Sequence, residues 1–340
     1  VVPQYKGKYK MTYTAGSTIL AADYNGFVST NGANVNVIWA TGTGDSGYGE
    51  AALSTVAAAA TITATQWSTL NSKITSIASH QGTTITSRAN PTTGDTIEIL
   101  ANLATDLSTL QTNRGDAAAS GAETVAFSGT TSKTTDTGSA DAAWTITFTH
   151  TVTFASADAA RYFFNAGGRI KWQTSKTSTG NDGDAEWNDT ANTLVGDIYI
   201  TGGTATQTIA GSSYTGTTKV GGTGTPNQLA TTTGWYDLTT SDTQIYQQYS
   251  DTAPYTGQYI AINAKTAGSG TQLVLTTTWV DPGGDAAPGG NNIITGGTAT
   301  ASPFSTFGTA PATVVTLFVP SATYLTSASW GTPTIAASVA

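Results

Sequence analysis

Over the first third of the chain apolar residues recur every three or four positions; beyond residue 140 they alternate with polar ones. In ITATQWSTLNSKITSIASHQG, Trp67, Leu70, Ile74 and Ile77 fall on one helical stripe. Thr63 and Gln66 have the spacing of a capping box, and Gly82 stands where a C-terminal cap belongs. TGDTIEILANLATDLSTLQTNRG repeats the arrangement, with Asp95 and Glu98 as the start signal and Gly115 as the stop. Its stripe is Ile97, Leu100, Leu103, Leu107 and Leu110. The pattern predicts two antiparallel helices joined by a Pro-containing loop. A weaker helix is expected over Ala21 to Trp39, although Gly26 and Gly32 oppose it. Neither stripe is long enough for a free-standing coiled coil, so both call for a third partner, from this chain or from another copy.

Residues 116–140 are small and polar and read as a linker. WTITFTHTVTF then alternates closely: Trp144, Ile146, Phe148, His150, Val152 and Phe154 share one face, and five threonines share the other. RIKWQTS, TLVGDIYIT, GWYDLT, TQIYQQYS, QYIAINAKT, TQLVLTTTWV and TVVTLFVPS are further expected strands. The fold class expected is α+β: an N-terminal helical hairpin region followed by an antiparallel β-sandwich, jelly-roll-like rather than a meander. The expected divisions are an arm at 1–10, a helical attachment or oligomerisation region at 11–120, a linker at 121–140 and the sandwich at 141–340. The Gly-rich stretches 201–224 and 281–300 are long for loops, and long loops carry binding roles or meet a neighbouring subunit.

Composition narrows the function. Charged residues make up 10% of the chain, far below the ~25% of an average globular protein, and Thr, Gly, Ala and Ser replace them. Such surfaces are common in extracellular, fibrous and virion proteins, where β-prone Thr tiles broad sheets. A net charge of −8 argues against nucleic acid as the partner. The absence of cysteine excludes disulfides, thiolate metal sites and a cysteine nucleophile. No apolar run is long enough for a membrane span, and VVPQYKGKYK lacks a signal-peptide apolar core. Met11, the single methionine, reads as a natural beginning, with the basic arm of Lys6, Lys8 and Lys10 before it.

Candidate chemistry is sparse. Gly42, Gly44 and Gly47 have dinucleotide-loop spacing but no βαβ context. In NDGDAEWND, Asp182, Asp184 and Glu186 are weak calcium candidates, since EF-hand spacing is absent and a solvated acidic turn explains them as well. Asn188 begins a glycosylation sequon, and Arg114-Gly115-Asp116 spells an adhesion tripeptide whose Gly is explained by the helix stop. His150 is expected to be a core histidine, and His80 to face a helix C-terminus. Trp187, Trp235, Tyr236 and Tyr246 are weak glycan-stacking candidates, against the reading that they cap sheet ends or bury at subunit contacts. Asp184, Glu186, Asp237 and Asp251 could serve a glycosidase, but nothing in the sequence pairs them. No residue calls for a cofactor.

In FASADAARYFFNAGGRIKW, Ser156 and Asp158 are expected to cap a short helix. Tyr162, Phe163 and Phe164 would plug the end of the sandwich, and Gly167-Gly168 would reverse the chain. MTYTAGSTILAADYNGF, the helical hairpin and then AARYFFNAGGRI together resemble a family of virion structural proteins of tailed phages, notably those of aquatic and cyanobacterial hosts. The resemblance spans roughly residues 11–200. It implies a virion component, tail- or appendage-associated, without catalytic residues. The expectation is therefore a non-enzymatic homo-oligomer, a trimer by preference, with other virion proteins and a host surface glycan as the partners to look for. A capsid decoration protein or filament subunit, and a glycan- or receptor-binding module, are the alternatives.

Overall fold

The computed structural model describes residues 19–95, 100–127, 143–177, 182–253, 255–283 and 311–340. The chain divides into two compact units, residues 1–114 with 323–326, and residues 115–322 with 327–340.

The first unit is helical. It holds α1 (Ala21–Asn25), a π-helical turn (Gly26–Thr30), α2 (Val35–Trp39), α3 (Ala64–Gln81) and α4 (Leu100–Thr112). The helix expected over Ala21 to Trp39 is broken, because the chain extends at Asn31 and restarts at Asn34, whose side chain accepts the Val37 N–H at 2.9 Å. The predicted capping box of α3 is present: Thr63 Oγ1 accepts from Gln66 N at 3.2 Å, and Gln66 Oε1 accepts from Thr63 N at 2.8 Å. Gly82 ends the helix with φ 70°. Ile97 and Glu98 lie outside the described residues. Asp95 accepts from Thr92 N at 2.7 Å and so closes a turn ahead of α4.

The third partner the stripes require comes from the same chain. Tyr24 and Phe27 set their rings 5.9 and 6.2 Å from Trp67, and the Lys73 ammonium lies 4.5 Å from the Trp39 ring. Trp67, Leu70, Ile74, Ile77, Leu103, Leu107 and Leu110 are all buried within the single chain. The trimer expectation therefore loses its argument from open helical seams. Two asparagines hold the connecting loop by imitating a strand. Asn25 exchanges two hydrogen bonds with the Val56 backbone, both 2.8 Å, and Asn36 does the same with Leu53 at 2.9 and 2.8 Å.

The second unit contains, in chain order, β1 (Ser120–Phe127), β2 (Trp144–Thr153), α5 (Ala157–Asn165), β3 (Arg169–Ser175), α6 (Asp182–Asp189), β4 (Asp197–Ile200), β5 (Gln207–Ile209), β6 (Ser212–Tyr214), β7 (Thr217–Val220), β8 (Gln228–Leu229), β9 (Thr243–Tyr249), β10 (Tyr259–Ala267), β11 (Gln272–Asp281), β12 (Ala312–Pro320) and β13 (Thr334–Val339). One sheet runs β1-β12-β3-β4-β7, a second β13-β2-β11-β10-β9-β8, and β5-β6 is a separate hairpin. Every pairing among these strands is antiparallel. The protein is thus α+β, with helices first and antiparallel sheets after.

The two large sheets share a buried core. The buried positions of β2 and β11 alternate strictly, and Trp172 of β3 donates to Thr277 Oγ1 of β11 across the core at 2.9 Å. The connections between the two sheets are mixed. The chain alternates between sheets over β1, β2 and β3 and again over β11, β12 and β13, whereas β8 to β11 form a meander.

Three expectations are corrected. The stretch read as a linker contains β1, which pairs with β12 from far along the chain. GWYDLT is no strand but a 3-10 turn at Trp235–Asp237, because Gly234 enters it and Asp237 caps its backbone at 2.9 Å. TLVGDIYIT is extended only over Asp197–Ile200, after a π-helical turn at Thr190–Leu194.

A short helix closes each end of the sandwich. Ser156 caps α5 by accepting the Ala159 N–H at 3.0 Å, as its sequence predicts. Phe163 and Phe164 then pack 5.3 and 5.9 Å from Phe154, beyond the end of β2, and Trp235 stacks on Phe164 at 5.4 Å. At the other end of β2, Trp187 of α6 sits between Trp144 and Trp279, 5.2 and 5.3 Å from their rings.

Candidate functional site

The outer face of the six-stranded sheet is built from the positions left over by the core. Thr145, Thr147, Thr149, Thr151 and Thr153 of β2 stand opposite Val280, Thr278, Thr276, Val274 and Gln272 of β11. On the other side of β2, Thr334, Ala336 and Ser338 of β13 continue the rows, and Tyr259, Ala261, Asn263 and Lys265 of β10 extend them beyond β11. Lys265 is the charged residue of these four strands on that face, and Asp242 neutralises it at 3.1 Å. The β-branched side chains stiffen the surface and offer hydroxyls in ladder order. This is a broad face with a single, paired charge, suited to lie against another protein surface.

The acidic segment at α6 is organised differently from its sequence reading. The side chains of Asp182 and Asp184 lie outside the described residues. Glu186 is instead gathered with Asp189 and Asp251, one carboxylate oxygen of each lying within 4.8 Å of the others. The elements explain the meeting. Thr190, just past α6, hydrogen-bonds Ser250, just past β9, through their hydroxyls at 2.6 Å. Thr252 hydrogen-bonds the Glu186 carboxyl through side chain and backbone, and its single hydroxyl hydrogen is shared with Asp251 Oδ1, 3.2 Å away. Glu186 is only 6% exposed, and its Oε1 has no hydrogen-bond partner. Burial raises the Glu186 pKa above the usual carboxylate value, the Thr252 bonds oppose the rise, and the charges of Asp251 and Asp189 add to it.

The glycan-stacking candidates are not presented to solvent as a platform. Trp187 and Tyr246 are fully buried, and Trp235 is 7% exposed within the phenylalanine cluster. Tyr236 is half-buried and donates its hydroxyl to Asn165 Oδ1 at 2.8 Å. The reading in which these rings plug the ends of the fold accounts for their positions. Tyr246 donates to the Val195 carbonyl at 3.2 Å, and burial raises its pKa.

Other singled-out motifs are absorbed structurally. The glycines of GTGDSGYG form a turn that returns Gly49 N to Ala40 O at 2.8 Å and Glu50 N to Trp39 O at 3.0 Å. Arg114 pairs with Asp45, and Asp116 accepts the Thr208 N–H at 2.8 Å. His80 packs edge-on against Tyr48, 5.2 Å between centroids. His150 is fully buried on the inner face of β2; burial pulls its pKa down to about 4, against a hydrogen bond to the Thr313 backbone.

Sequence reasoning missed two features. Arg169 lies buried among Phe318, Tyr214 and Tyr199, its guanidinium carbon 4.3, 5.2 and 5.9 Å from their rings. The β5-β6 hairpin, which supplies Tyr214 and Ile209, covers this outer patch of the five-stranded sheet. In the helical unit, a cavity of about 480 Å³ between α3 and residues 85–90 is lined by Asn71, Thr75, Thr86, Arg88 and Asn90, and Arg88 is already paired with Asp106. No family model, curated protein or solved structure matches the chain.

Proposed function

We propose that the chain is a non-enzymatic structural component of a phage virion, tail- or appendage-associated, which assembles through sheet-face contacts. The observation that carries this reading is the threonine-tiled outer face of the six-stranded sheet, where one neutralised lysine interrupts an uncharged surface across four strands. A face of this kind can pack against a neighbouring subunit with little charge to desolvate. The resemblance of AARYFFNAGGRI to virion proteins supports the address, and its residues build the aromatic plug at one end of the sandwich. Sedimentation of the purified chain across a concentration series tests the assembly. The reading expects a defined oligomer that Thr149→Glu, in the middle of the tiled face, dissociates. A monodisperse monomer at high concentration that also fails to associate with virions would overturn it.

A further inference from the structure

We propose that Glu186, Asp189 and Asp251 form a divalent-cation site, with Ca²⁺ the preferred ion, that clamps α6 to the segment following β9. The proposal is independent of the role in a virion.

Three observations carry it. The carboxylate oxygens lie within 4.8 Å of one another, and a shared Ca²⁺ held at about 2.3–2.6 Å from each ligand spans up to twice that distance. Mg²⁺, with ligands at about 2.0–2.1 Å, demands near-ideal octahedral geometry and parts reluctantly with its waters. The second observation is Glu186 itself. Its side chain is enclosed, with the residue 6% exposed, and Oε1 has no hydrogen-bond partner. A buried carboxylate oxygen left unpartnered is costly unless a cation or water meets it. The third is the graded access of the cluster, because Glu186 is buried, Asp189 half-buried and Asp251 exposed. An ion can therefore enter from the Asp251 side and complete its shell with water, as hard cations do.

Neighbouring contacts give the site a frame before any ion arrives. The Thr190–Ser250 bond fixes the two chain segments, and Thr252 holds both Glu186 and Asp251. Glu186 and Asp189 are three apart on α6 and so lie on one helical face. The ion would join two segments that otherwise meet through the Thr190–Ser250 and Thr252–Glu186 hydrogen bonds. The site lies on α6, the helix whose Trp187 ring closes this end of the core.

Isothermal titration of the chelator-treated full chain with CaCl₂ tests the proposal, together with thermal unfolding at matched ionic strength. The expected result is one-site binding and a melting temperature that rises with Ca²⁺ by mass action. Asp251→Asn changes an exposed residue and should fold normally. It should weaken Ca²⁺ binding at least tenfold, as should Glu186→Gln. Asp242→Asn, an acidic residue of the same unit paired elsewhere, should bind as the parent does. MgCl₂ should bind more weakly than CaCl₂. Absence of binding at millimolar Ca²⁺, or equal binding by the parent and both site variants, would overturn the proposal.

Discussion

His150 shows how one buried residue ties this fold to pH. Its ring is fully enclosed on the inner face of β2, and burial holds its pKa at about 4, below the ordinary value of 6.5. Between these values the unfolded chain takes up a proton that the folded chain refuses. Stability is therefore full above pH 6.5 and is lost as pH falls toward 4, by about 3 kcal/mol from this group. Glu186, with its pKa raised, works in the opposite sense, so the comparison must be between the parent and His150→Gln. Urea unfolding from pH 7.5 to 4 should give the parent the steeper loss on acidification; parallel curves would remove the buried-neutral reading. Trp172 offers a second residue-scale check. Its indole N–H crosses the core to Thr277, so Trp172→Phe strands that hydroxyl and leaves a void, at a cost of about 2 kcal/mol. The core role of His150 was legible from its place in an alternating strand. The cluster around Glu186 was only half legible, because Asp251 reaches it through the fold and leaves no local spacing to find.

At the scale of elements, local chemistry was readable wherever a signal lay within a few residues. Thr63 and Gln66 cap α3, Ser156 caps α5, and Gly167 reverses the chain with φ 88°. A Cβ added at Gly167 would lie 2.5 Å from Ala117 Cβ, and the backbone there is left-handed. Gly167→Ala should therefore cost more than about 1 kcal/mol, and Ser156→Ala about 1 kcal/mol, read as shifts in the urea midpoint. Gly32→Ala meets nothing within 4 Å at an ordinary φ and should stay within about 0.5 kcal/mol of the parent. Elements that depend on distant partners were not readable. In β1, SGAETVAF carries too few apolar residues to alternate, and only β12 makes it a strand. GWYDLT misled in the other direction: its aromatics favour strands, but Trp235 is spent on the plug and Asp237 on a turn. The helical stripes were legible as far as the described residues reach, while their partner stayed open between this chain and another copy, because broken helices α1 and α2 carry weak periodicity.

For the whole molecule, scarcity of charge is the governing property. Among the described residues most ion pairs are partly exposed, such as Lys265–Asp242 and Lys171–Glu123, and exposed pairs contribute little. Raising NaCl from 50 mM to 1 M should therefore move the melting temperature by no more than about 3 °C; a larger fall would mean that ionic contacts carry the fold. The same scarcity leaves the threonine face free of the charges that keep most soluble surfaces apart. That links composition to the proposed role as a subunit that lies against others. The most direct measurement is the protein content of purified phage particles from a culture that produces this chain, by mass spectrometry with immunogold imaging of the same particles. The account predicts the chain in several copies per particle, with label on the tail or an appendage. Its absence from purified particles, with all of it in the particle-free fraction, would contradict the account.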